Sequence, residues 1–255
     1  MEIKMNFEIN IKEKNFINKS DNSRINVLKD IDIKIKSNEF VCIVGPSGCG
    51  KTTLMNIIGG LISADGQNIK LNGKKNSEIE ENISYVFQSS RLLPWLTVRE
   101  NVELVRKEKT NFRDRTNDLL KNFGLRDFIN FYPKAISGGM RRKVSLARAL
   151  INNPRILLMD EPFISLDQPT SENLYKVLVN YWEKKPITII LITHSLKEAL
   201  LLGDRILFFS KKPGTVLFDY KVKSKRKPLN VDNKSVNDEY TNLKERYPKL
   251  LKGLI

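Results

Sequence analysis

The chain has 255 residues, 40% of them apolar and 29% charged, the composition of a globular protein long enough to bury a core. No apolar run approaches the roughly eighteen residues of a membrane span. Two cysteines and one histidine give no basis for a disulfide framework or a Cys/His metal site. Lysine and arginine exceed aspartate and glutamate by 44 to 29, a balance that fits either an anionic partner, nucleic acid or membrane, or a solvated lysine-rich surface. The segment Met1–Lys12 alternates charged and apolar residues without the apolar core of a signal peptide, so a cytoplasmic location is expected.

The N-terminal part reads as β. Phe7–Ile11 and Ile31–Ile35 alternate with period two, and a polar loop containing Asn15, Lys19, Ser20, Asp21 and Asn22 separates them. Phe40–Val44 is a continuous apolar run, as in a strand buried on both faces. A glycine-rich loop and a helix over Lys51–Ile62 follow. Strands are expected at Ile83–Phe87, Ile156–Met159, Ile187–Ile192 and Ile206–Phe209, with helical patterns between them, which is the alternation of a mostly parallel α/β sheet. Residues 89–153 hold helical segments only, Val98–Lys107, Arg113–Phe123 and Met140–Ile151, and read as a helical insert. After Tyr220 the chain turns basic, with Lys221, Lys223, Lys225, Arg226 and Lys227, a composition that suits a partly disordered tail touching anionic lipid, nucleic acid or water alone. The expected division is a main domain over 1–220 and a short basic tail over 221–255.

Gly45-Pro46-Ser47-Gly48-Cys49-Gly50-Lys51-Thr52 fits G-x-x-x-x-G-K-[ST], between a buried strand and a helix. The glycines let backbone N–H groups converge on phosphate oxygens, and the helix N-terminus adds partial positive charge. Lys51 is expected to reach the β- and γ-phosphates of ATP, and the Thr52 hydroxyl to ligate Mg²⁺, with Thr53 beside it. Cys49 contributes its backbone; with no histidine near it in sequence, a nucleophilic thiol has no base.

Ile156–Met159 carries Asp160 and Glu161 to the end of a strand, the edge where α/β sheets bind ligands. Asp160 is expected to hold Mg²⁺ and Glu161 to polarise the attacking water. Ile136-Ser137-Gly138-Gly139-Met140 opens a second helix with a natural cap and two glycines, so one chain carries two anion cradles.

That second cradle resembles the LSGGQ signature of ABC ATPases, with Ile136 for leucine and Met140 for glutamine. Gln88 resembles the Q-loop residue, a Mg²⁺ contact; Ser165-Leu166-Asp167 resembles the D-loop; and His194 resembles the switch histidine that meets the γ-phosphate. Phe16 is the candidate to stack on adenine. The resemblance covers Phe7 to Tyr220. It implies a P-loop NTPase (RecA-like) core with an N-terminal antiparallel β subdomain and an inserted α-helical subdomain. It also implies a homodimer that sandwiches ATP, each subunit giving its signature to the other's phosphate loop, and a membrane permease and solute-binding protein as partners.

Leu92–Val102, Met140, Glu161-Pro162-Phe163 and His194 with Glu198-Ala199 are similar to the nitrate/sulfonate/taurine import group. The expected activity is ATP hydrolysis powering import of a small solute of sulfonate, nitrate, taurine or vitamin-precursor type, at the inner face of the cell membrane. The apolar run Leu92–Leu96 suits permease docking, and suits packing of the insert equally. The departures are Asn38 where a glycine is usual, Ser165 where alanine is usual, and a longer loop before Val27. A soluble ABC ATPase acting on nucleic acid or ribosomes is the alternative that the charge invites. The short span from Lys51 to Ser137 leaves no room for the long coiled coil of repair-type relatives, and only one cassette is present. A nucleotide-binding regulator with little turnover is a third reading, opposed by the intact Glu161 and His194.

Overall fold

The computed structural model describes residues 6–71, 73–75, 82–107, 112–224 and 233–254. In chain order the strands and helices are β1 (Asn6–Ile17), β2 (Arg24–Lys36), β3 (Phe40–Val44), α1 (Lys51–Ile58), β4 (Asn68–Leu71), β5 (Lys74–Lys75), β6 (Ile83–Val86), α2 (Val98–Glu103), α3 (Phe112–Asn122) and α4 (Gly138–Leu150). They continue as β7 (Ile156–Asp160), α5 (Gln168–Lys184), β8 (Thr188–Thr193), α6 (Leu196–Leu202), β9 (Arg205–Phe209), β10 (Val216–Lys221) and α7 (Lys234–Arg246). The chain forms two compact units, one of Met1–Ile83 with Thr188–Ile255 and one of Ser84–Ile187. Among the described residues no helix is long and apolar enough to cross a membrane.

The first unit contains an antiparallel sheet in the order β2-β1-β4-β5. Its register sets Phe7 opposite Ile35, Ile9 opposite Ile33 and Ile11 opposite Ile31, so one face of the alternating strands becomes a buried isoleucine layer. Both strands run further than the alternation predicts. A bulge between Lys14 and Asn15 shifts the pairing, after which Asn15 faces Asn26 and Phe16 faces Ile25. Phe16 therefore lies in a strand, not in the polar loop expected from its neighbours. The true turn is short, and Asn18 and Asp21 close it by accepting from the Ser20 and Ser23 N–H groups.

The same unit carries β10-β9-β3-β8 side by side. Strands β3, β8 and β9 run parallel, with Val44 level with Thr193 and with Phe208. Strands β3 and β8 are buried at every position, which is why their sequences are apolar runs without alternation. Helix α1 ends at Ile58 rather than Ile62 because Gly59 and Gly60 follow, and the Gly59 N–H closes the last turn on the carbonyls of Ile57 and Met55. Asn38 adopts φ 60°, a left-handed conformation that explains why glycine is usual there and why asparagine serves.

Past Tyr220 the structure is more regular than the composition suggests. Lys221 ends β10, and a three-turn helix, α7, begins at Lys234 under an Asn233 cap; Lys225, Arg226 and Lys227 lie outside the described residues. Buried Glu239 on α7 accepts from the Tyr220 hydroxyl at 2.7 Å and from the Lys223 and Ser224 N–H groups at 2.8 Å each. Burial pushes this carboxyl's pKa up, but those bonds outweigh it and hold it below the ordinary value of 4.5. Its contribution is therefore complete above that value and is lost as pH falls through the lower native pKa. We expect Glu239→Gln to lower unfolding stability by about 1–3 kcal/mol at pH 7 in urea melts. The gap to wild type should narrow below pH 4.5. A pH-independent gap would refute the carboxylate's role.

The second unit contains α2 to α5 with β6 next to β7. Between Phe87 and Arg155 the described residues form helices and turns without a strand. Helix α2 stops at Glu103 instead of reaching Lys107, because Asn152 takes over the following backbone: its Nδ2 donates to the Val105 carbonyl at 2.6 Å and its Oδ1 accepts from the Lys107 N–H at 3.3 Å. Thr97 and Glu100 form a capping box that starts α2. Asn101, wholly buried, bonds the main chain of Leu93, Leu96 and Thr97, and so fixes the Leu92–Leu96 run while Trp95 stays 68% exposed.

Candidate functional site

In the first unit, β3 delivers Gly45 to the end of a buried strand, and the chain turns through Gly48 at φ 74° and Gly50 at φ 104° into α1. Both glycines occupy conformations that other residues resist. A Cβ on Gly50 would lie 2.8 Å from Leu28 Cδ2 and 2.9 Å from the Val27 carbonyl, whereas Gly48 faces open space. The loop is therefore packed from behind and open in front. Among the described residues no side chain caps α1, which leaves the backbone of Gly50 to begin the helix. Ser47, Gly48 and Thr52 are exposed, and Pro46 and Thr53 are half-buried.

Lys51 is buried, and its ammonium donates to the carbonyls of Gly45 and Pro46 at 2.8 Å each, with Cys49 Sγ at 3.8 Å. A buried cation held by neutral carbonyls and a thiol of a glycine loop, with no carboxylate bonded to it among the described residues, fits an anionic ligand that would supply negative charge. Burial pushes the Cys49 thiol up, against the pull of Lys51, so this thiol is not a ready nucleophile. Behind the loop, Gly214 bridges to Leu28; its N–H donates to the Val27 carbonyl at 2.8 Å, and a Cβ there would sit 2.2 Å from the Cys49 carbonyl oxygen.

His194 lies one residue beyond Thr193, and Gly45 one residue beyond Val44. Since Val44 and Thr193 are paired in parallel strands, His194 and the start of the phosphate loop leave the same sheet edge on neighbouring strands. His194 is exposed, and its neighbours are fixed. Thr193 Oγ1 donates to the buried Glu198 carboxylate and accepts from the Ser195 N–H at 3.0 Å, while Ser195 caps α6. Phe16 is 42% exposed, with Lys14 Nζ 4.9 Å from its ring centroid.

In the second unit, β7 is buried throughout and ends at Asp160, itself 6% exposed. Tyr85 is pushed well above the ordinary phenol range, first by burial and then by the charge of Asp160. Glu161 follows at φ 45° and Ser165 at φ 64°, two non-glycine residues in the left-handed region within one turn. Such residues cost on the order of 1–3 kcal/mol and persist where the surroundings hold them. Asp167 caps α5, accepting from the Thr170 N–H at 3.1 Å; bonds from Thr170 hold its carboxyl below the usual range.

Ser137 caps α4, accepting from the Met140 N–H at 3.2 Å, and Ser137 and Gly138 are exposed. Gly139 is buried against the first turn of α5, where a Cβ would fall 2.4 Å from Thr170 Cγ2. The two caps, Ser137 and Asp167, are thereby tied through Gly139 and Thr170. Alanine gains about 1 kcal/mol of helix propensity over glycine. The overlap should nevertheless make Gly139→Ala destabilising by about 1–3 kcal/mol. In a Thr170→Ser background, which removes Cγ2, the same change should become neutral or stabilising. Urea unfolding of the four proteins reads the sign reversal, and equal costs in both backgrounds would reject the contact.

Two residues of the second unit escape a reading of the sequence alone. Arg142 of α4 is buried and donates to the Phe87 carbonyl at 2.8 Å and to the carbonyl of Gln88; Arg148 donates to the carbonyls of Ser90 at 2.9 Å and Arg91 at 2.8 Å. The helix that begins at Ser137 therefore grips the main chain around Gln88, whose side chain is exposed.

The family described as ABC transporter matches residues 28–164. The aliphatic sulfonates import ATP-binding protein of a Bacillus cereus strain is 41% identical over 194 residues, covering 75% of this chain and 77% of that protein. The taurine import ATP-binding protein of Jannaschia sp. is 36% identical over 227 residues, covering 87% and 85%. Among solved structures, the dimeric post-hydrolysis state of the ATP-binding cassette MJ0796 bound to ADP and Pi is similar, with a TM-score of 0.74 and 33% identity, covering 86% of this chain and 100% of that one.

Proposed function

We propose, because this chain belongs to the ABC transporter family, that it is the ATP-hydrolysing subunit of an importer for a small sulfonate-type solute. The observation that carries the ATPase reading is the parallel register of β3 and β8, which sets His194 beside the loop that buries Lys51. The solute class is supported by the aliphatic sulfonate and taurine names of the relatives.

In this reading Lys51 exchanges its loop carbonyls for β- and γ-phosphate oxygens, and the N–H groups opening α1 hold the remaining phosphate charge. The exposed ring of Phe16 offers a face to adenine. Mg²⁺ would supply charge neutralisation, and Thr52, Gln88 and Asp160 are the hard oxygen donors it takes alongside phosphate. Water attacks the γ-phosphorus as the bond to the ADP oxygen breaks; Glu161 accepts the water's proton and His194 steadies the γ-phosphate. Ser137, Gly138 and Gly139 serve a nucleotide held by a second copy, with Asp167 close to the same contact. The Leu92–Leu96 run, fixed by Asn101 with Trp95 outward, docks on a membrane permease at the inner face of the membrane, and a solute-binding protein delivers the cargo.

The test is hydrolysis by the chain reconstituted with its permease in vesicles. Alkanesulfonate or taurine presented with the binding protein should stimulate turnover, and duplex DNA or ribosomes should not. Stimulation by nucleic acid alone would overturn the transport reading while leaving the ATPase assignment intact.

A further inference from the structure

The second unit contains a cleft of about 330 Å³ that none of the proposed chemistry uses. Its walls follow from helical periodicity. Arg115, Leu119 and Asn122 recur at i, i+4 and i+7 on α3, and Val177, Tyr181 and Lys184 do the same on α5. Leu150, in the last turn of α4, and Phe123 close the floor, with the Phe123 and Tyr181 rings edge to face at 6.3 Å. Two helix faces thus meet over an apolar base without filling the space between them.

The rim has the opposite character. Among the described residues, Arg115, Lys184 and Lys185 are cationic against the single acid Asp118, and Asn153 and Asn180 add amide groups. Arg115 is half-buried, and its Nη2 is shut from water with no hydrogen-bond partner among the described residues. Its charge is felt by Tyr181, whose phenol is raised by burial and lowered by Arg115. An unpartnered guanidinium N–H at the lip of an apolar cleft is costly, and a turn of the side chain towards an anionic ligand would remove the cost. The volume sits at the small end of ligand sites, about 300–1,000 Å³, and the mix of apolar floor and few polar groups is theirs too.

We propose that this cleft binds a small single-headed organic anion, a sulfonate or carboxylate on a short aliphatic or aromatic body, independently of the nucleotide. The head meets Arg115, with Lys184 and Lys185 adding charge, and the body lies on Leu119, Phe123, Leu150 and Val177. A polyphosphate does not suit the site, because its charge would be spread over an apolar floor.

Hexanesulfonate is titrated into the full chain by calorimetry, with and without saturating ADP, alongside hexanoate and 1-hexanol. The expected result is saturable binding of one hexanesulfonate per chain, unaffected by ADP, with no saturable binding of 1-hexanol. Arg115→Gln should weaken hexanesulfonate by about tenfold or more, the loss of one charge-assisted fork. If that variant does not fold, Lys184→Gln with Lys185→Gln, both exposed, takes its place and should also weaken binding. No saturation by about 10 mM, competition by ADP, equal binding of 1-hexanol, or unchanged affinity in the folded variant would each overturn the proposal.

Discussion

Glu161→Gln is expected to bind ATP as tightly as the parent chain and to lose about 10²-fold or more of its turnover, the usual share of a positioned base. The reason begins in the backbone. Four buried apolar residues and Asp160 complete β7, and the chain then turns left-handed at Glu161, with φ 45°. A residue with a Cβ holds that conformation only when the surrounding structure imposes it, so the direction of its Cα–Cβ bond is fixed before any ligand arrives. Glutamine has the same shape and much the same backbone preferences, and therefore keeps the geometry. Its amide cannot accept the proton of the attacking water. Single-turnover hydrolysis and nucleotide affinity, measured on the same protein, separate the two effects. Hydrolysis within a few-fold of normal would remove Glu161 from the role of base. A parallel loss of affinity would point instead to a broken turn. Glu161→Gly supplies the complement: it relieves the left-handed residue, so it should be equally inactive while no less stable.

What the sequence discloses about this protein is what depends on neighbours along the chain. The apolar runs Phe40–Val44 and Ile156–Met159 announce buried strands because burial on both faces needs no alternation, and both are wholly buried. The glycines of the loop announce a phosphate site because Gly48 and Gly50 take left-handed φ values that glycine adopts at little cost, and Gly45 packs where a Cβ would lie 2.8 Å from Phe209 Cβ. The usual glycine and alanine positions held here by Asn38 and Ser165 turn out to be left-handed, so the departures from the family pattern fall on backbone points where glycine or asparagine is natural and serine is not.

The hidden part is what depends on distant partners. The grip of Arg142 and Arg148 on Phe87 to Arg91 spans more than fifty residues and leaves no periodic trace. Phe16 reads as a loop residue because a bulge at Lys14 and Asn15 breaks the alternation that marks a strand. Helix α7 looks like a polar tail because Val236 and Leu243 are almost its whole apolar face, and its remaining anchor is a buried carboxylate. The packing of Gly139 on Thr170 is likewise invisible in a motif that shows two glycines without saying which one is crowded.

Mixing two inactive variants should restore an ATP-locked dimer, if each ATP lies between two chains. The premise is that one short chain offers two anion cradles. At one, Lys51 is buried in the loop opening α1; at the other, Ser137 and Gly138 are exposed at the head of α4. A single nucleotide needs one of each, and a head-to-tail pair supplies it from different copies. Lys51→Ala empties the first cradle by removing the buried ammonium. Ser137→Arg blocks the second with a long side chain, and Ser137→Ala, which loses only the Met140 cap, separates blockage from the roughly 1 kcal/mol of capping. Each variant alone makes a dimer with two broken sites. In the mixed dimer both lesions fall in one site, and the other is whole. Glu161→Gln is added to both chains so that closed dimers accumulate, and their ATP-dependent formation is read by sedimentation or by energy transfer between labelled chains. Closed dimers should form in the mixture and in neither variant alone. If Lys51 and Ser137 of one chain serve the same nucleotide, mixing restores nothing. The composite reading then fails even though chains with both cradles intact dimerise in parallel.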